Sequence, residues 1–349
     1  RSPPRTLLPA AAPRSAGRLC GLARARPSGR RRLAAEVAVA DQVYQGVSSE
    51  EEAEAEEGAG DAEPAPTFAQ QAKDLERRAA AGDADAQFRL GRALRKGALV
   101  ARNLTRAFEL LQAAADQDHA KAQLLAGLML AKGQAPFDDD VGALSYLTLA
   151  AEEGLPKAQY NAALLYREGV GLEEPDLVSA AYWLKRAAVG GHAQAQFRLG
   201  DMLLNGDELK KNASWAAHFF ELAAEQGHAP AQEAIGLMYR SGEGVERDAQ
   251  KAASWMTKAA ERGDPVAAHT LGRMLRHGED GPRDPEQARF WLTRAADMGV
   301  VEAAEDLGVM LLSDECGNPD EEGAAYWFLQ ARKWREELEA DGANKGCGH

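Results

Sequence analysis

Between Ala84 and Ala340 a unit of about 36 residues recurs seven times. An alanine marks each copy: Ala86, Ala122, Ala158, Ala195, Ala231, Ala267 and Ala303, at spacings of 36, 36, 37, 36, 36 and 36 residues. A chain built this way folds as a solenoid, each unit completing its core against the next. Such arrays hold partners more often than they transform substrates.

The fifth copy shows what one unit contains. Ala231, Ile235, Gly236 and Tyr239 fall on one face of a short amphipathic helix. Gly242 and Gly244 end that helix, because glycine tolerates the positive φ such a turn demands. Asp248 is placed to cap a second helix through Ala252, Trp255 and Ala259-Ala260, which Gly263 stops. The unit is helix, turn, helix, turn.

Other copies keep these roles. The glycine of the first helix recurs as Gly91, Gly127, Gly200, Gly236, Gly272 and Gly308, with Ala163 in the remaining unit, and lets the paired helix approach closely. The cap position reads Asn103, Asp140, Asp176, Asn212, Asp248, Asp284 and Asp320, all short acceptors for an orphan helical N–H. Seven residues after each cap stands a bulky group, Leu110, Leu147, Trp183, Phe219, Trp255, Trp291 or Trp327, expected to fill the space between stacked units. Phe68 to Ala81 reads as a lone helix covering the first unit, and the polar extension from Lys333 to Leu338 as a cover for the last.

Ile235-Gly236 through Gly244-Val245, then Asp248, Ala252, Trp255 and Lys258 through Gly263, resemble the Sel-one-like repeat, a relative of the tetratricopeptide repeat. The resemblance extends over about three quarters of the chain. It implies an all-α, right-handed α-solenoid of about seven helix-turn-helix repeats, and the composition of the first 65 residues places a disordered N-terminal region before it. It also implies a noncatalytic interaction scaffold or adaptor in a multiprotein assembly. Two alternatives come from other classes: a small-molecule hydrolase, as linked to a few relatives, and an accessory or assembly factor of a membrane complex.

The domain reading is a basic segment at 1–35, an acidic disordered linker at 36–65, the solenoid at 66–340 and a flexible tail at 341–349. Arg1 to Arg32 is rich in arginine, proline and alanine, with no acidic residue before Glu36, a composition that resembles an organellar transit segment. Plastid or mitochondrial import is the corresponding expectation, and a cytoplasmic protein the alternative. Arg30-Arg31-Arg32 is a weaker, nuclear-type signal. The charge then reverses in the acidic run Glu50 to Glu57.

A net charge of −13 argues against nonspecific nucleic-acid binding, which needs a basic footprint. No stretch approaches the roughly 20 apolar residues of a membrane span. Three cysteines, Cys20, Cys316 and Cys347, make no disulfide framework. His119, His192 and His228 align with Asp264 just past the ends of second helices, so they read as turn residues rather than ligands or bases. The acidic caps read as caps, and Gly242-Glu243-Gly244 lacks the lysine and strand of a phosphate loop. Cys347 and His349 are too few to bind a metal. The sequons at Asn103 and Asn212 fall on helix caps. No catalytic residue, cofactor or metal is expected, and the array is read as a monomeric scaffold.

A partner surface, if formed by the first helices, lies on the side opposite Ala86, Leu90 and Gly91. It comprises Phe88, Arg92 and Arg95, then Leu124 and Leu128, then Tyr160 and Arg167, then Phe197, followed by Arg240, Arg273 and Arg276. This reads as an aromatic and aliphatic ladder for an extended or helical peptide, with arginines for acidic groups on the same ligand. The competing reading packs the aromatic after each Ala-Gln pair against the next unit.

Overall fold

The computed structural model describes residues 68–97, 100–206, 209–278, 283–313, 317 and 319–346. The basic segment, the acidic linker, all three cysteines and His349 lie outside them. Fifteen helices and no strand occur among the described residues. They are α1 (Phe68–Ala80), α2 (Ala84–Lys96), α3 (Leu104–Ala115), α4 (Ala120–Ala131), α5 (Asp140–Glu152), α6 (Pro156–Glu168), α7 (Leu177–Val189) and α8 (Ala193–Asn205). Then come α9 (Ala213–Glu225), α10 (Ala229–Ser241), α11 (Ala249–Glu261), α12 (Pro265–His277), α13 (Pro285–Asp297), α14 (Val301–Leu312) and α15 (Glu321–Gly346). Thus α15 continues past the boundary expected at Ala340.

Each unit is a pair, α2–α3 through α14–α15, and α1 covers the open side of α2. Even-numbered first helices of neighbouring units touch, at α2–α4, α4–α6 and α12–α14, more closely than any two second helices. The first helices therefore line the inner side of the array.

The helix-ending glycines behave as expected. Gly97, Gly169, Gly206, Gly242 and Gly278 end first helices at φ between 66° and 82°. In the turn after the second helix of units two to six glycine again takes positive φ, at Gly154, Gly191, Gly227, Gly263 and Gly299, but not in the first unit. There Asp118 occupies that position at φ 58°.

The close-approach glycine also holds, but its partner is not the residue the cap count selects. A Cβ on Gly91 would stand 2.8 Å from Leu111 Cγ, and one on Gly127 2.8 Å from Leu147 Cγ. Gly200, Gly236, Gly272 and Gly308 face Phe220, Met256, Leu292 and Phe328 in the same way. The filler is thus eight residues after the cap. The second unit reconciles the count, because its cap is Asp139, whose Oδ1 accepts from Gly142 N at 2.8 Å, and not Asp140. Of the residues expected to fill the interior, Leu110, Phe219, Trp255 and Trp327 remain half-exposed. Three tryptophans instead lie beneath cations, with Lys258 Nζ 3.9 Å from the Trp255 ring and Arg186 and Arg294 each 5.5 Å from Trp183 and Trp291.

The interior is a continuous run of alanine interlocked with single large side chains. Phe108, Leu111, Leu147, Phe220, Ile235 and Met256 are fully buried. Small residues bring the helix axes close, and one bulky group per interface fills what remains.

Candidate partner-binding surface

The surface is decided at the joints between units. Five of the seven first helices begin at a side-chain cap supplied by the residue before them, while α6 and α14 follow Leu155 and Val300 with none. His119, His192 and His228 use Nδ1 to accept from Ala122 N, Ala195 N and Ala231 N, at 3.1, 3.3 and 3.2 Å. Asp83 and Asp264 do the same for Ala86 N and Ala267 N at 3.1 and 2.9 Å. The histidines are therefore helix caps. Burial, helped by Lys157 and His228, pushes His192 down to about 3, and burial pushes His228 down to about 4. Both stay neutral at pH 7, as a ring accepting through Nδ1 must.

Against these rings lie the aromatics expected to face a ligand. Phe88 stacks on His119 with centroids 4.8 Å apart and Tyr160 on His192 at 4.6 Å, while Phe197 meets His228 at 4.9 Å with the rings tilted by 35°. Tyr160 is 1% exposed, and its hydroxyl accepts from Arg198 Nε at 3.0 Å. Leu128 is also 1% exposed, pressed into the core where neighbouring first helices meet. These two belong to the core and not to an open ladder. Phe88, Leu124 and Phe197 are half-buried.

A second set of joint residues escaped the sequence reading. Gln87, Gln123, Gln159, Gln196 and Gln232 follow the marker alanines and are buried. Each Nε2 donates to a carbonyl at the end of the preceding second helix: Ala79, Ala115, Ala151, Ala188 and Ala224, at 3.0 to 3.3 Å. Each of these carbonyls also accepts a backbone N–H from the following turn (Gly82, Asp118, Gly154, Gly191 or Gly227), so the amide adds a second bond at the helix terminus. Gln117 and Gln226 close the circuit by donating to Gln87 Oε1 and Gln196 Oε1.

The expected arginines divide. Arg276 is buried and donates through Nη1 to Asp306 O at 3.3 Å, so it is a joint residue rather than a surface one. Arg273 Nε lies 3.8 Å from Asp306 Oδ2, which also receives His269 Nε2 at 2.8 Å. The His269 hydrogen bond, with charge from His269, Arg273 and Arg276, holds Asp306 below the usual carboxylate range. Arg167 is half-buried, 3.1 Å from Glu168, and Arg240 is half-buried on α10.

Two clefts open on the inner side. One, of about 580 Å³, lies between α2 and α4 and is lined by Asp85, Phe88, Arg89, Arg92, His119, Ala120 and Lys121. The other, of about 220 Å³, lies where Ala163 replaces glycine, with Arg167, Arg198, Asp201 and Met202 in its wall. So Phe88 and Arg92 share one cleft, and Arg167 lies in the other. Arg95 is half-buried farther along α2. In the larger cleft Arg89 pairs with Asp85 at 2.9 Å, whereas Arg92 and Lys121 carry no ion pair among the described residues. No three His, Cys, Asp or Glu side chains converge to hold a metal among the described residues. None of their helices is long and apolar enough to cross a membrane.

Residues 84–333 match the Sel1 repeat in seven consecutive copies, at 84–119, 120–155, 156–192, 193–228, 229–264, 265–300 and 301–333. The chain belongs to the Sel1 repeat family. The boundaries of the Sel1 copies coincide with the joints, each opening at or beside the residue after a first-helix cap. Among solved structures the protein is similar to c5321, a protective antigen present in uropathogenic Escherichia coli strains that displays an SLR fold. The two are 30% identical with a TM-score of 0.70, over 75% of this chain and 56% of that one. It is also similar to a Sel1 repeat protein from Oxalobacter formigenes, with 28% identity and a TM-score of 0.52 over 66% of this chain and 97% of that one. This chain spans little more than half the length of the E. coli protein. A search of the curated proteins returns no match. Sel1 repeat proteins generally act in protein–protein interaction as noncatalytic scaffolds.

Proposed function

We propose that the protein is a noncatalytic scaffold that grips an acidic segment of a partner protein at the N-terminal end of its inner face. One observation carries the reading. Most of the ladder is consumed by joints between units, while the α2–α4 cleft keeps two cations with no ion pair among the described residues over an aromatic floor. Helix α2 carries Arg89, Arg92, Arg95 and Lys96 against the lone acid Asp85, and Lys121 adds a charge from α4. A guanidinium and an ammonium beside an apolar surface suit glutamate and aspartate side chains flanked by apolar ones. Stacked helices also present these groups with little backbone entropy left to lose on binding.

Capture from cell extract by the full chain, with cross-linking before purification, tests the reading. Arg92→Glu with Lys121→Glu should abolish recovery of an acidic partner, and circular dichroism should show unchanged helix content. Retention of the same partners by the double variant would place binding elsewhere. No observation on the inner face favours the hydrolytic or membrane-complex alternatives.

A further inference from the structure

The α2–α4 cleft has an occupant of matching charge in its own chain. Residues 50–57 read Glu-Glu-Glu-Ala-Glu-Ala-Glu-Glu, six carboxylates in eight positions. Ten residues, 58–67, separate this run from Phe68, where α1 begins. Extended, they reach about 35 Å. Helix α1 is about 20 Å long. The turn at 81–83 folds it back along α2, where Gln87 bonds Ala79 O, so Phe68 lies toward the Lys96 end. The cleft residues from Asp85 to Arg92 run from the far end of that helix to just past its middle. The tether is long enough to deliver the run anywhere along the cleft.

The charges also fit in detail. Arg92 and Lys121 stand on two helices flanking the Phe88–His119 stack, and neither is neutralised by a described residue. The comparable cations of α12 are already engaged, Arg273 by the Asp306 carboxylate and the buried Arg276 by the Asp306 backbone carbonyl. An acidic segment therefore finds unneutralised partners at the N-terminal cleft and none equivalent at α12.

We infer that the Glu50–Glu57 run docks in the α2–α4 cleft of its own chain and competes with the acidic partner segment. The inference rests on the cleft being the partner site. A short tether holds the run at an effective concentration in the millimolar range, so even weak docking suppresses binding in trans. The contact is electrostatic and exposed, and it weakens as salt shortens the screening length.

The test uses the full chain and a fluorescein-labelled peptide with the sequence of residues 48–60, followed by anisotropy at low salt. A full-chain variant with Glu50, Glu51, Glu52, Glu54, Glu56 and Glu57 each replaced by Gln should bind the peptide about tenfold more tightly than the natural sequence, since its cleft lacks the tethered competitor. Adding Arg92→Gln and Lys121→Gln to that variant should weaken binding about tenfold again, with circular dichroism unchanged.

Equal affinity in both chains would overturn intramolecular docking while leaving the cleft an acidic-peptide site. Binding indifferent to Arg92 and Lys121 would place the contact elsewhere and overturn the docking. A suppression that vanishes on roughly hundredfold dilution would assign the competitor to a second copy and overturn it too. No binding to either chain would remove the run as occupant, and the partner reading would then stand or fall on the capture experiment.

Discussion

The two halves of the array join their units with different chemistry at the same place. In the first four units the residue two after the marker alanine is Phe88, Leu124, Tyr160 or Phe197, and the aromatic ones pack on the histidine cap of the next unit. In the last three it is Glu233, His269 or Glu305. Burial and the charge of Asp264 push Glu233 up to about 7, His269 meets Asp306 at 2.8 Å, and Glu305 receives Arg335 Nη2 at 2.6 Å. The backbone geometry is shared, so the fold does not require either solution. Ring stacks exclude water and depend little on salt, whereas the charged joints depend on pH and ionic strength.

Cutting one ring tests the N-terminal side most severely. Tyr160 is fully buried, stacked and hydrogen-bonded, so Tyr160→Ala should cost about 3 kcal/mol or more, the usual range for removing a buried aromatic. Urea unfolding followed by circular dichroism would show it as a low-denaturant phase, because each unit is stabilised chiefly by its neighbours. Glu305→Ala, at the equivalent position of the last unit, should cost about 1 kcal/mol or less, since its ion pair is exposed. Equal costs would dissolve the distinction between the halves.

Acidification should move the halves in opposite directions. His192 and His228 are held near 3 and 4, below the 6.5 of an unfolded histidine. Between those limits the unfolded chain binds protons that the folded joints exclude, so stability falls as pH falls below about 6.5, by about 1 kcal/mol per pH unit per histidine. Glu233 shows the reverse. Its folded value near 7 exceeds its unfolded 4.5, so the folded joint takes up a proton first and tightens as pH falls through 7. Hydrogen exchange at about pH 7.5 and 5.5, corrected for intrinsic rates, should show protection lost in α6 to α8 and gained in α12, while in α10 the loss at its cap His228 opposes the gain at Glu233. His192→Asn keeps a capping side chain and should flatten the N-terminal response. A uniform change along the array would contradict the assignment.

Much of this was legible without coordinates, because period, caps and helix-ending glycines are local features. The first-helix glycine named its own reason, and the structure supplied Leu111, Phe220 and their equivalents beneath it. Three consecutive aspartates, Asp138 to Asp140, hid the register of one cap, and a single-residue slip there moved Leu147 onto the wrong count. Which side of a first helix is wet was not legible. Tyr160 and Leu128 disappear only because the inner faces of neighbouring units close on each other, a consequence of curvature that no single repeat encodes. The buried glutamines carried a readable signal, the same amide after the marker alanine in five units, but nothing local to one unit names the carbonyl each one bonds. Arg276 misled for the same reason, since Asp306 lies thirty residues away and in another helix.

The finest test concerns Asp306, whose carboxylate meets His269 and Arg273 while its backbone carbonyl accepts from Arg276, all three from the preceding unit. Its replacement by Asn keeps the shape and an acceptor for His269 but removes the charge that Arg273 and Arg276 face. The carboxylate is about one-third exposed, so solvent screening limits the loss to about 1 kcal/mol in dilute buffer. In about 1 M salt, where the screening length falls to roughly 3 Å, the natural chain and the Asp306→Asn variant should approach one another in urea midpoint. Phe197→Leu, at the joint between the fourth and fifth units, should keep its full penalty, because the ring contact with His228 involves no net charge. If Asp306→Asn costs as much in high salt as in low, the joint is held by the directed His269 hydrogen bond rather than by its arginines. The contrast between the halves would then be one of geometry, with charge a minor contributor.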